Sequence, residues 1–200
     1  MIGKIVTGKS FGGAVRYLLG KEPEKAYILT SDGVELSSRQ ALIGSFEFQR
    51  RARPDVERVV GHISLSFHPD DDPRMSDQLM LDLAQEYMQR MEITGTQYLV
   101  VRHADTKHPH LHILYNRVRY DTTLVPDRNE RLRNMRICRD LKQEYGLTFS
   151  RGKEQVATEQ LRHRIYDHLR ELLPDCAFLD GISRRIGQTT CRHDLCPSGR

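Results

Sequence analysis

The sequence predicts an α+β fold, a central antiparallel sheet of about five strands with helices packed on one or both faces. Three observations lead there. Short segments of period two alternate with longer segments of period 3.6 along most of the chain. Two strand segments, TQYLVVRH and HLHILYNRV, are joined only by ADTKHP, too short for a crossover helix and therefore a signal of antiparallel pairing. The chain has 200 residues at 38% hydrophobic, enough for one principal core and a small appendage.

The opening MIGKIVTG reads as a strand with Ile2, Lys4 and Val6 on one parity. Ser10 is an N-cap for a helix carrying Phe11, Ala14, Val15 and Leu18, which Gly20 and Pro23 terminate; Arg16 and Tyr17 lie on it. AYILT, residues 26–30, is a second short strand, with Ser31, Asp32 and Gly33 as its turn. A helix starts at Ser37 and runs to about residue 52, with Leu42, Ile43, Phe46 and Phe48 as its apolar set. In VERVVGHISLSF, Ile63, Leu65 and Phe67 alternate with His62, Ser64 and Ser66, a half-buried strand with one polar face. Ser76 caps a helix in which Leu79, Leu83, Tyr87 and Met91 recur every fourth residue before Gly95. After the strands TQYLVVRH and HLHILYNRV, an arginine-rich helix extends from about Asn134 to Tyr145 and stops at Gly146. A last helix, 158–173, presents Leu161, Ile165, Leu169 and Leu172, and residues 186–200 lose the hydrophobic period and read as a flexible tail.

Composition narrows the function classes. Mean hydropathy is −0.59, and no apolar run approaches the roughly 20 residues of a membrane span. The N-terminal residues lack the apolar stretch of a secretion signal. Cys138, Cys176, Cys191 and Cys196 are late and unevenly spaced, unlike a disulfide framework, so a reduced, cytoplasmic setting is expected. Cys191, His193 and Cys196 lack a fourth ligand at a zinc-clip interval. Net charge is only +4, but residues 117–153 hold ten Lys/Arg against five acids. Such a stretch is either a solvated helix face or a phosphate-tracking surface.

Nine histidines are present, and His103, His108, His110 and His112 fall within ten residues. On a strand, His110 and His112 project from the same face, and an antiparallel return brings His103 beside them. Three convergent imidazoles without a thiolate suit Zn, Mn, Fe, Ni or Co and leave positions open for water or a substrate oxygen. Asp105 is placed either to hold an imidazole by its N–H or to take a proton from an attacking group. His108 lies in the loop, and His62 is on the polar parity of its strand, either facing the site or hydrogen-bonded within the fold.

The run HADTKHPHLHILYNR, residues 103–117, resembles the three-histidine motif of relaxases, the MobP-like mobilization nucleases of the histidine, hydrophobic, histidine superfamily. KSFGGAVRYLL, residues 9–19, is similar to the family's N-terminal motif, and HISLSF, residues 62–67, matches a third one more loosely. The resemblance covers about residues 1–150. It implies a relaxase-like fold with the catalytic domain at 1–153 and a helical extension at 154–185. It also implies that Tyr17 is the nucleophile and that His103, His110 and His112 hold a divalent metal, usually Mg or Mn in this family, although Zn, Ni or Co also suit three imidazoles. A phenol ionises only near pH 10, so a tyrosine nucleophile needs a base or nearby positive charge.

The implied reaction is attack of Tyr17 on one DNA strand at a transfer origin, giving a 5'-phosphotyrosine link and a free 3'-hydroxyl for mobilization of a plasmid or integrative element. The implied partners are single-stranded DNA, accessory mobilization proteins and a coupling protein, with no membrane insertion. Arg16, Arg117, Arg131 and Arg133 are the candidate DNA contacts. Three rival readings remain. A rolling-circle replication initiator or transposase of the same superfamily would use a tyrosine after the histidine motif, here Tyr145. A metal-dependent phosphohydrolase would use water and ignore Tyr17. A non-enzymatic DNA-binding module would use the histidines structurally.

Overall fold

The computed structural model describes residues 1–20, 25–106 and 108–149. The helix expected at 158–173, the extension at 154–185, the tail at 186–200 and the cluster Cys191, His193 and Cys196 lie outside the described residues. Elements follow in the order β1 (Ile2–Gly8), α1 (Phe11–Leu18), β2 (Ala26–Asp32), α2 (Arg39–Arg50), β3 (Val60–Ser66), α3 (Asp77–Arg90), β4 (Tyr98–His103), β5 (His110–Asn116) and α4 (Glu130–Glu144). The strands form one sheet in the order β1-β3-β5-β4-β2, with every neighbouring pair antiparallel. This is the α+β fold class that the alternation predicted.

The central strands β3, β4 and β5 bury one parity against each helical layer. Ile63, Leu65, Val100, Leu111, Ile113 and Tyr115 face α3 and α4, where Met80, Leu83, Tyr87, Ile137 and Leu141 complete a core. On the other face Leu99, Val101 and Leu114 pack with Phe11, Val15 and Leu18 of α1 and Leu42 and Phe46 of α2. Phe11 and Phe46 stack with ring centroids 4.6 Å apart, joining those two helices. The coverage of this second face is partial: Ile2, Lys4 and Val6 on β1 are exposed. Among the described residues, no helix is long and apolar enough to cross a membrane.

Helix starts follow their caps. Ser10 Oγ accepts from Gly13 N and Ser76 Oγ from Leu79 N, both where the sequence places them. The second helix starts one residue later than expected. Ser38 Oγ accepts from Ala41 N at 3.1 Å, while the Ser37 amide is already committed to the Glu35 carboxylate. β2 continues through Ser31 to Asp32, and Gly33 makes the turn at φ +65. α4 starts at Glu130 rather than Asn134 because Asn129 enters it in the left-handed region with no side-chain cap, leaving no signal of the usual kind. A 3-10 turn, Pro69–Arg74, fills the segment after β3 that the sequence left without an element.

Two close approaches fix the sheet. The Tyr115 ring lies flat over Gly61, its partner across β3 and β5, so close that a Cβ there would sit 2.1 Å from Cζ. Gly3 on β1 gives the same room to α4, and Asn134 Nδ2 donates to the Gly3 carbonyl at 2.7 Å.

Candidate metal centre and active site

Register alone brings the histidines together. His103 pairs with His110 across β4 and β5, so their side chains share a face, and His112 follows on that face two residues on. Val101 pairs with His112 and closes the site from the apolar side. Ring centroids lie 5.4 Å apart for His103 and His110, 4.5 Å for His103 and His112, and 5.3 Å for His110 and His112. One ligand nitrogen from each can be chosen so that all three lie within 4.8 Å of one another.

Hydrogen bonds decide which nitrogens remain open. His103 Nε2 lies 2.7 Å from the Leu18 carbonyl, which only accepts, so this nitrogen carries the proton. His110 Nδ1 likewise donates to the His108 carbonyl at 3.0 Å, with the Thr106 hydroxyl 3.2 Å away. His112 Nδ1 lies 2.9 Å from His62 Nε2. Nδ1 of His103 and Nε2 of His110 are therefore lone pairs open to an ion, and Nε2 of His112 is the nitrogen that its bond to His62 leaves uncommitted. Burial pushes the His112 imidazole down to about 3, helped by His103, His62 and His110 nearby, which keeps it neutral as a ligand must be. These donors fit a divalent cation: three imidazoles, each held at its second nitrogen.

Tyr17 stands at the exposed side of this cluster. Its ring meets His112 edge to face at 5.8 Å between centroids and His62 at 5.7 Å, and the side chain is 64% exposed. Among the described residues its hydroxyl has no hydrogen-bond partner. Two clefts open on either side of it. One of about 310 Å³ is lined by Leu18, Gly20, Lys25, Ala26, His103 and Asp105 as well as Tyr17. The other, about 320 Å³, is lined by Lys4, Val6, His62, Ser64 and His112 together with Tyr17. Asp105 Oδ1 is 3.3 Å from His110 Nε2, so the loop carboxylate stands beside the open nitrogen of that histidine.

The arginine candidates separate. Arg16 is exposed on α1 next to Tyr17. Arg117 is buried, donating to the Arg58 carbonyl and to Asp127. Arg133 donates to Glu92 and to the carbonyls of Met91 and Pro126. These two are engaged within the protein, and Arg131 is exposed on α4, the layer on the sheet face away from the histidines. Tyr145 packs with that same layer, its hydroxyl donating to Glu86 at 2.9 Å, so the site of a tyrosine after the motif is separated from the imidazoles by the sheet. Lys4, Ser64 and the Leu18 carbonyl join the site without being singled out by local spacing, and His62 faces it, one of the two readings that its parity allowed. Parity marked His62 and Ser64 as one face of β3, but only the β1-β3-β5 order makes that face the wall of the cleft.

A family model described as Relaxase: MobA/VirD2-like, nuclease domain, matches residues 17–147. No curated protein matches the chain.

Proposed function

Because this chain belongs to the relaxase nuclease family, whose members nick DNA, we propose that it cuts one strand at a transfer origin by transesterification, with Tyr17 as the nucleophile. The observation that carries this reading is the stance of the Tyr17 ring over His112, at 5.8 Å, on the open side of three imidazoles whose second nitrogens are all held. The phenolic oxygen forms a bond to the scissile phosphorus as the bond to the 3'-oxygen breaks, and that oxygen takes up a proton from water, giving a 5'-phosphotyrosine and a 3'-hydroxyl. One phosphodiester is exchanged for another, so resealing by the reverse attack needs no nucleotide cofactor. Asp105, in the same cleft as Tyr17, is assigned to receive the phenolic proton.

His103, His110 and His112 would hold the divalent cation, Mg or Mn in use, with Zn, Ni or Co also compatible with three nitrogens. When bound, it supplies charge neutralisation for the nonbridging phosphate oxygens. The chain's own residues supply the rest. The partly covered sheet face and the clefts on each side of Tyr17 receive an unpaired strand, with Lys4 and Lys25 at opposite ends and Arg16 beside the nucleophile. Residues 1–153 are proposed as the catalytic domain, followed by the extension at 154–185 and the tail at 186–200. Mobilization of a plasmid or integrative element, in the cytoplasm and with accessory and coupling proteins, is the setting this chemistry serves.

The test uses single-stranded oligonucleotides taken from DNA flanking the gene, incubated with Mg or Mn or with EDTA and resolved on a denaturing gel. A metal-dependent covalent adduct is expected. Cleavage without an adduct would instead identify a water-attacking nuclease, and binding without cleavage a recognition module.

A further inference from the structure

We infer that His62 is a positioning residue that fixes the orientation and tautomer of His112, an assignment that rests on the reading of His103, His110 and His112 as ligands of a divalent cation. His62 projects from β3 on the histidine face, and its Nε2 meets His112 Nδ1 at 2.9 Å. The contact is diagonal: in the register His62 pairs with Leu114 and His112 with Ser64, so both rings must lean along their strands to meet. The ring centroids are 5.0 Å apart with 36° between planes, a geometry made by the hydrogen bond and not by stacking.

A hydrogen bond between two imidazoles holds one proton. An imidazole that offers Nε2 to an ion keeps its proton on Nδ1, so His112 donates and His62 Nε2 accepts, which puts the proton of His62 on its own Nδ1. The other two histidines have acceptors built into the main chain, Leu18 O for His103 and His108 O for His110. Among the described residues, the corresponding acceptor for His112 is a side chain. It is therefore the one anchor of the three that substitution can remove without moving the backbone. Without it, the His112 ring is free to rotate about its χ2 angle or to place its proton on Nε2, and either change withdraws a lone pair from the site.

The experiment titrates the metal-free full chain with MnCl2, and separately with CoCl2, by calorimetry. Wild type, His62→Leu and His62→Gln are compared, with thermal unfolding of each as a check on folding. The wild type is expected to bind one ion, His62→Leu to bind it about 10- to 100-fold more weakly, and His62→Gln, whose side-chain oxygen restores an acceptor, to return to within about threefold. Cobalt absorption is expected to shift in the leucine variant and to be restored by glutamine. If the leucine protein does not fold, His62→Phe, a ring of similar size without an acceptor, replaces it.

Equal affinity of the wild type and the non-accepting variant would overturn the assignment, as would a glutamine variant no better than leucine. A wild type that binds neither ion overturns the metal reading of the site and this assignment with it. Binding of a single-stranded oligonucleotide in EDTA is measured in parallel, because His62 also lines the cleft proposed for the strand. A loss of DNA affinity at unchanged metal affinity would make His62 a strand contact and overturn the positioning role.

Discussion

His103 Nε2 donates to the backbone oxygen of Leu18, 2.7 Å away, and so ties the last turn of the helix bearing Tyr17 to the strand bearing a candidate ligand. The carbonyls of a helix's last turn have no partner within the helix, and this bond satisfies one of them. Tyr17 and the histidine cluster are thereby held in one frame. His103→Ala removes a candidate ligand and the tether together. It is expected to abolish the covalent adduct and to weaken Mn binding, while costing only about 1 kcal/mol of stability for the lost hydrogen bond. Adduct yield on a denaturing gel, calorimetric titration and urea unfolding check the three parts; an alanine variant that forms adduct at the wild-type rate would refute the role.

Tyr17→Phe separates chemistry from folding. The ring is mostly exposed and its hydroxyl has no partner among the described residues, so stability is expected to change by less than about 0.5 kcal/mol. Metal binding should also be unchanged, since the phenol is not among the three nitrogen donors. Adduct formation should be lost altogether. Tyr145→Phe, on the other face of the sheet, is the matched control and is expected to leave the adduct intact.

The division between what the sequence discloses and what it does not is physical. His103, His110 and His112 are legible because they lie in one hairpin, where a period of two and a short connection determine which side chains share a face. The caps at Ser10 and Ser76 are legible because the cap is local. Lys4, His62 and Ser64 depend on β3 lying between β1 and β5, a pairing of distant segments that no local pattern encodes. The same holds for Arg117 and Arg133. Their charge suggests a surface for phosphate, and only the tertiary fold shows them spent on Asp127, Glu92 and main-chain carbonyls. The unusual start of α4, with Asn129 at φ 53, hides the boundary for a local reason: it has none of the side-chain caps on which boundary reading rests.

Gly61→Ala tests the packing on the far face of the sheet from the site. The added Cβ would lie 2.1 Å from Cζ and 2.3 Å from Cε1 of Tyr115, a ring that is itself buried and cannot retreat into solvent. Overpacking of this kind costs about 1–3 kcal/mol. Tyr115 and His112 share β5, so a ring forced off Gly61 shifts the strand that carries the ligand. Urea unfolding is expected to show the loss in stability, and Mn titration a weaker site in the fraction that remains folded.

Acid should destabilise the metal-free protein through the same imidazoles. His112 is pushed down to about 3 from an ordinary 6.5, by burial first and then by His103, His62 and His110. His62 is also lowered, by burial and then by His103 and Lys4. Below pH 6.5 the unfolded chain takes up protons that the folded chain refuses, so the unfolded state binds more protons and stability falls as pH drops from 6.5 toward 3. The slope contributed by one such group approaches about 1.4 kcal/mol per pH unit. Urea midpoints measured in EDTA at pH 7, 6 and 5 should therefore decline more for the wild type than for His112→Gln. Parallel declines would show that His112 is as easily protonated in the fold as outside it.

Lys4 and Arg131 offer opposite surfaces for the DNA strand. Lys4 stands between the exposed Ile2 and Val6 on the part of the sheet that α1 and α2 leave open, and it lines a cleft with Tyr17 and His112. Arg131 is exposed on α4, behind the sheet. Each cation that meets a phosphate of a single strand steepens the fall of log K with log salt by about 0.7. Lys4→Ala should therefore weaken binding of an oligonucleotide in EDTA and flatten its salt dependence by that amount, with Arg131→Ala close to the wild type. Fluorescence anisotropy across a salt series measures both quantities. The reverse result would place the strand on the arginine-rich helix, where it could reach Tyr17 only by passing around the edge of the sheet at β1 or β2.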